Sequence, residues 1–160
     1  MNSKEKVVKY MRDIIKVPRY ESIPSCGLYL EQVVQYLNGI LSLLGFEKIT
    51  LFMVKNYIKL DMVSKPINKL YYRDQIATLF FISIAKNIMS IEDVKTIIKK
   101  VEIDADGKWF EYFSAELENA MNYAGASIES ETSAIDVEII CRDLVAAIIR
   151  KKRLLRVICS

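Results

Sequence analysis

The run Ile76–Ala85, IATLFFISIA, sets the first constraint on this chain. It is apolar almost all the way round a helix, interrupted only by Thr78 and Ser83. A helix without a polar face must be covered on several sides, so the other elements are expected to wrap it. It is the longest apolar run in the chain and falls well short of the roughly 20 residues that cross a bilayer. With 52% hydrophobic residues but only 5 Gly and 3 Pro among 160, the chain reads as ordered and mainly α-helical, with a core of its own. The opening MNSKEKVVKYMRD has no apolar stretch of signal-peptide type. A cytoplasmic protein with no membrane contact is expected.

Hydrophobic spacing predicts the remaining helices. Ser3–Lys16 carries Val7, Val8, Met11, Ile14 and Ile15, and the Pro- and Gly-bearing VPRYESIPSCG that follows is a loop. Leu28–Leu44 places Leu30, Val33, Val34, Leu37, Leu41 and Leu44 at intervals of three and four. Asn38-Gly39 inside it costs roughly 1 kcal/mol and marks a place where it could bend or break. Gly45 is the expected terminator. Thr50 is the expected cap of a helix over Thr50–Leu60, and Pro66 the residue that stops it. Ile67–Tyr72 could form a small β-hairpin or wing. Ser90-Ile-Glu-Asp93 caps a helix to about Lys100. Trp109, Phe113, Leu117, Ala120, Met121 and Ala124 stripe another over Lys108–Ala124. Ser133-Ala-Ile-Asp136 opens a last one to about Val157, with a seam of Ile140, Leu144, Ala147 and Ile148.

Residue types exclude much chemistry. Histidine is absent, which removes Ser-His-Asp and Cys-His catalysis, His-ligated zinc and an imidazole pH switch. Cys26, Cys141 and Cys159 form no CxxC pair and are odd in number, so no disulfide framework is expected. Cys26 and Cys141 read as buried thiols and Cys159 as part of a loose tail. Asp104-Ala-Asp106-Gly107 resembles part of a calcium loop, but Lys108 stands at the third ligand position and a turn is expected. Trp109, Phe110, Phe113 and Tyr123 are expected to fill a core rather than line an effector pocket. No catalytic residue, metal site or cofactor is assigned, and the chain is read as non-enzymatic.

Charge is unevenly placed. The segment Thr50–Arg73 carries Lys55, Lys59, Lys65, Lys69 and Arg73 against Asp61 alone, whereas residues 91–140 hold twelve acids and four bases. Basic pieces of this kind can meet DNA, or can neutralise the acidic section internally. At 100° per residue Leu51, Val54, Ile58 and Met62 share one side of the helix. Phe52, Lys55, Asn56 and Lys59 share the other, within roughly a 100° arc. Asn pairs with adenine, Lys reaches guanine or phosphate, and an aromatic edge touches the thymine methyl. The competing reading is an ordinary polar face whose Phe packs on a neighbour. Arg150-Lys-Lys-Arg153 with Arg156 is the densest basic run. It reads either as helix termination favoured by the dipole or as contact with phosphate or an anionic membrane surface.

Two resemblances add to this. The strings VPRYESIPSCGLYLEQVVQYL and ITLFMVKNYIKLDMVSKPINKLYYRDQIATLFFISIAKNIMSIEDVKTII, within residues 17–100, resemble the YkrK-like bacterial family, a domain of unknown function. The matching elements are Leu28-Tyr29, Gln32-Val33, Thr50, Val54–Lys59, Pro66, Lys69 and Tyr71. Lys55 stands where that family more often has Asn, and Lys69-Leu70 replaces a lysine pair. The same stretch is similar to the MerR-type winged helix-turn-helix. That resemblance implies that Lys55 occupies the position of a DNA-contacting Arg and Tyr57 that of a backbone-contacting tyrosine, with Lys69 and Tyr71 in a wing.

Together these give a mainly α protein with a MerR-like winged helix-turn-helix, a small β-wing and added N- and C-terminal helices. Residues 1–100 form the family domain (core 28–100), and 101–160 form a helical extension suited to homodimerisation. The expected function is a DNA-binding transcriptional regulator. Leu28–Leu44 braces the motif, Thr50–Leu60 enters the major groove of double-stranded DNA, and Lys65–Tyr72 touches flanking backbone. The expected contacts are Phe52, Lys55, Asn56, Tyr57, Lys59, Lys65, Lys69, Tyr71 and Arg73. The alternative is a protein–protein interaction module built on the same scaffold.

Overall fold

The computed structural model describes residues 15–101, 107–128 and 137–160, the backbone alone for 123–128 and 137–144. After a single 3-10 turn at Tyr20–Ser22, six helices follow: α1 Leu30–Leu43, α2 Leu51–Lys59, α3 Arg73–Ala85, α4 Ile91–Val101, α5 Lys108–Ile128 and α6 Val137–Ile158. No strand occurs among the described residues.

Helix α3 is the centre. Gln75, Ile76, Ala77, Leu79, Phe80, Phe81, Ile82, Ser83 and Ala85 are all buried, as its lack of a polar face requires. The α3 hydroxyl that is fully buried is satisfied locally, Ser83 Oγ donating to the Leu79 carbonyl at 2.7 Å. Helix α1 covers α3 with Val33, Leu37 and Leu41. Helix α4 brings Val94 and Ile98, and its Ser90 cap forms as expected, with the Asp93 N–H donating to Ser90 Oγ at 3.1 Å. Phe110 on α5 and Ile158 at the end of α6 belong to the same core, so that core does not stop at residue 100.

The aromatic stripe of α5 fills this core. Phe110 lies edge-on to Phe80, ring centroids 6.0 Å apart, and Phe113 edge-on to Phe81 at 5.1 Å. The acids of α5 have a structural use that charge counting did not suggest. Glu118 accepts from the Val17 N–H at 2.7 Å and Glu111 from the Tyr20 N–H at 2.6 Å. Asn122 exchanges two hydrogen bonds with the backbone of Ile15. Carboxylates and an amide thus hold an extended segment that has no sheet or helix partner for its own N–H groups.

Two expectations change. Cys26 is exposed, not buried. Ala147 and Ile148 face solvent rather than a buried seam, and Leu155 and Ile158 are the α6 side chains that reach the core. No helix among the described residues is long and apolar enough to cross a membrane. The N-terminal helix, the turn at 104–106, the cap at 133–136 and the side chains of Tyr123, Ile140, Cys141 and Leu144 lie outside the described residues.

Candidate nucleic-acid interface

The connection from α1 to α2 is built from the residue pair that seemed to weaken α1. The helix runs through Asn38-Gly39 unbroken. Asn38 Nδ2 donates to the Ile49 carbonyl at 2.9 Å, and its Oδ1 accepts from the Ile49 N–H at 2.8 Å. One side chain thereby satisfies both backbone groups of a buried residue at the end of the turn. Gly45, at φ +76°, closes α1. Its N–H reaches the Ser42 carbonyl, and that of Phe46 reaches Leu41, the paired bonds of a Schellman cap. Thr50 then caps α2 as predicted, Oγ1 accepting from Met53 N–H at 3.2 Å.

Helix α2 buries Val54 and Tyr57. Leu51, expected inside, is exposed. Tyr57, expected to contact DNA backbone, is only 4% exposed, and burial raises its phenol pKa above the ordinary value. The helix also stops earlier than Pro66. Asp61 takes up a left-handed φ of +59°, and the N–H groups of Asp61 and Met62 bond to the Ile58 and Tyr57 carbonyls. This is a second Schellman cap with Asp in the position that favours glycine. Lys95, on α4, donates from Nζ to the free Leu60 carbonyl at 2.6 Å, a cation at the negative end of the helix.

The segment after α2 is a tight turn rather than a β-wing. Asn68 and Lys69 both have positive φ, +49° and +67°, the signature of a type I′ turn. Ile67 and Leu70 exchange both backbone hydrogen bonds around it. Among the described residues the only further pairing is a single antiparallel bridge between Tyr71 and Leu28. Tyr71, expected on the wing surface, is 3% exposed, and burial, helped by Glu31, raises its pKa. Upstream, Gln75 fixes the backbone that carries Lys65. Its Nε2 donates to the carbonyls of Ser64 and Lys65 at 3.1 and 3.0 Å, while its Oε1 accepts from the Tyr72 N–H.

Arg73 is committed elsewhere. Its guanidinium donates to the carbonyls of Ile23 and Glu21 and to the Glu21 carboxylate at 2.8 Å, and it stacks 5.3 Å from the centre of the Tyr20 ring. It pins the 19–23 segment to the start of α3 and has no free fork for a phosphate.

What stays outward is therefore a subset of the expected residues. Phe52 is 78% exposed, with Lys55, Asn56 and Lys59 exposed beside it on α2, and Lys65 and Lys69 exposed on the following segment. Among the described residues none of these four lysines has a hydrogen-bond or ion-pair partner. Among the described residues no carboxylate pairs with them, and Glu118 and Glu21 are taken instead by Arg19 and Arg73. Sequence reasoning missed Asn38, Gln75 and Lys95. The first two left a trace: an Asn before Gly inside a strong helix, and a Gln three residues after a cap position. Lys95 left none. No cluster among the described residues could hold a metal.

The chain is thus a mainly α-helical domain centred on α3, with an unpaired cationic edge at α2 and the turn beyond it. It belongs to the family described as a domain of unknown function (DUF1836), matched over residues 18–121. That span runs from the loop before α1 well into α5. Comparison with curated proteins and with solved structures gave no match.

Proposed function

We propose that this protein is a cytoplasmic, DNA-binding transcriptional regulator that uses α1 and α2 as a MerR-like helix-turn-helix. The observation that carries this reading is the set of four exposed, partnerless lysines on α2 and the segment after it. Lys55 and Lys59 are four residues apart on one helix face, an arrangement that costs a few tenths of a kcal/mol in isolation. A phosphate backbone offsets that cost. Asn56 and Phe52, on the same face, present base-reading chemistry. Lys65, anchored by Gln75, and Lys69, at the tip of the type I′ turn, reach the flanking backbone in place of a β-wing. Tyr57, Tyr71 and Arg73 take no part. A homodimer through the C-terminal helices supplies the second half-site that so small a contact set needs.

The test is selection of duplexes from a random pool at physiological salt, followed by anisotropy titrations of the winning site at several salt concentrations. Enrichment of a palindrome is expected, with log K falling steeply with log salt. Lys55→Ala and Lys69→Ala should each reduce that slope by about 1, and Tyr71→Phe should leave it unchanged. Absent or salt-insensitive binding would sink the proposal. The exposure of Phe52 supports a second reading, a protein-docking face. In that case Phe52→Ala abolishes capture of one defined partner from nuclease-treated lysate, and no DNA is shifted.

A further inference from the structure

A groove of about 610 Å³ lies between the C-terminal end of α3 and helix α6. Its apolar lining is Ile88, Met89, Ile148 and Leu154, and its polar lining is dominated by the cations Lys86, Arg150 and Lys151, with no carboxylate among the described lining residues. Lys86 is half-buried and has no hydrogen-bond or ion-pair partner among the described residues. Burial lowers its pKa, and the more distant Glu47 only partly opposes this. An ammonium withdrawn from water beside apolar side chains, with no anion in contact, is costly unless a ligand supplies the missing charge.

We infer that this groove is a binding site for a single-chain anionic amphiphile, a medium-chain carboxylate or its like. The acid head is held by Lys86, Arg150 and Lys151, and the chain lies along Met89, Ile148 and Leu154. The volume falls within the roughly 300–1,000 Å³ typical of small-molecule sites. A second copy of this face would set like charges against each other, which disfavours it as the occupant and leaves the other faces of the C-terminal helices for the homodimer proposed above.

The site is separate from the α2 edge and is tested with no DNA present. Dodecanoate is titrated calorimetrically into the full chain, below its micelle-forming concentration, with dodecyl maltoside as the uncharged control. One site per chain is expected. Lys86→Met and, independently, Lys151→Gln should each weaken binding roughly ten-fold, the scale of one charge-assisted contact. Lys152→Gln, on the same helix but outside the groove lining, should leave it unchanged. Lys151 is exposed, so its replacement leaves the fold intact if Lys86→Met does not. The inference is overturned if dodecanoate does not bind, binds in many copies per chain, binds no better than the maltoside, or binds equally to both groove variants. It is also overturned if only vesicles of phosphatidylglycerol, and not monomeric dodecanoate, are bound.

Discussion

Replacing Asn38 by Ala should do more damage than any other single change on the surface of α1. The side chain makes two short hydrogen bonds, 2.9 and 2.8 Å, to the carbonyl and N–H of Ile49. Ile49 is 2% exposed, so water does not readily replace either bond. A buried backbone group left unpaired costs about 1–3 kcal/mol. Two such losses, reduced because Asn38 itself is only half-buried and by the roughly 0.5 kcal/mol better helix propensity of Ala, leave about 2–3 kcal/mol. In a chain of 160 residues this lowers Tm by about 4–12 °C. Urea unfolding followed by circular dichroism measures it directly, and an unchanged m-value shows that the folded state is otherwise intact. Asn38→Asp sharpens the test. The carboxylate still accepts from the Ile49 N–H but opposes its carbonyl, so the folded state favours the protonated acid, which can donate. The folded pKa is then raised above the ordinary carboxylate value, and the variant regains stability as pH falls from that raised value to the ordinary one, with no further gain below it. If Asn38→Ala unfolds within about 0.5 kcal/mol of the parent, the range of an unremarkable surface change, the clamp does not set the α1–α2 turn.

The other expectations concern backbone strain and titration. Asp61→Gly should raise stability by about 0.5–1 kcal/mol, because it removes a left-handed non-glycine from the α2 cap at the smaller cost of a freer unfolded chain; a lower denaturation midpoint would contradict the cap assignment. Gly107→Ala should cost about 1–3 kcal/mol, since φ is +68° and the new Cβ would lie 2.8 Å from the Tyr20 ring. Differential scanning calorimetry reads this, and Tyr20→Ala in the same chain should recover the steric part. Tyr20 itself is pushed up to about 12, first by burial and then by its hydrogen bond to Asp74. The neutral phenol is favoured in the folded chain, so stability is complete below about pH 10, the ordinary tyrosine value, and is lost as pH rises towards 12. Tyr36, Tyr57 and Tyr71 shift in the same direction. The urea midpoint should therefore drop between pH 10 and pH 12, less steeply in Tyr20→Phe. A flat profile would show that the phenol is not held as described.

The parts of this fold that were legible in the sequence are those decided within a turn or two of helix. Ile76–Ala85 had no polar face and could only be central. Gly45, Thr50 and Ser90 each act through backbone groups within four residues, so their capping roles follow from local chemistry. The failures have other causes. Tyr57 sits three residues from Val54 and is buried with it; its place as a backbone contact was implied by the MerR-type resemblance, not by its position on the helix. Tyr71 is drawn in by a bridge to Leu28, 43 positions earlier. The distinction between a β-wing and a bare turn depended on the backbone of Asn68 and Lys69, both of which adopt positive φ without being glycine.

The same division decides how much of the positive charge is available to a partner. A residue count gives Thr50–Arg73 five bases against one acid. The fifth base, Arg73, is consumed by Glu21 and two carbonyls some fifty positions away, and no local pattern signals that. Lys95, outside the segment, is likewise spent on the Leu60 carbonyl. The lysines that remain differ in having no such commitment, and the arrangements around them are conspicuously structural: Gln75 holds the chain under Lys65, and a strained turn lifts Lys69 outward. For the DNA contact proposed above these two features matter because a phosphate contact contributes only if the lysine is held within reach at little entropic cost.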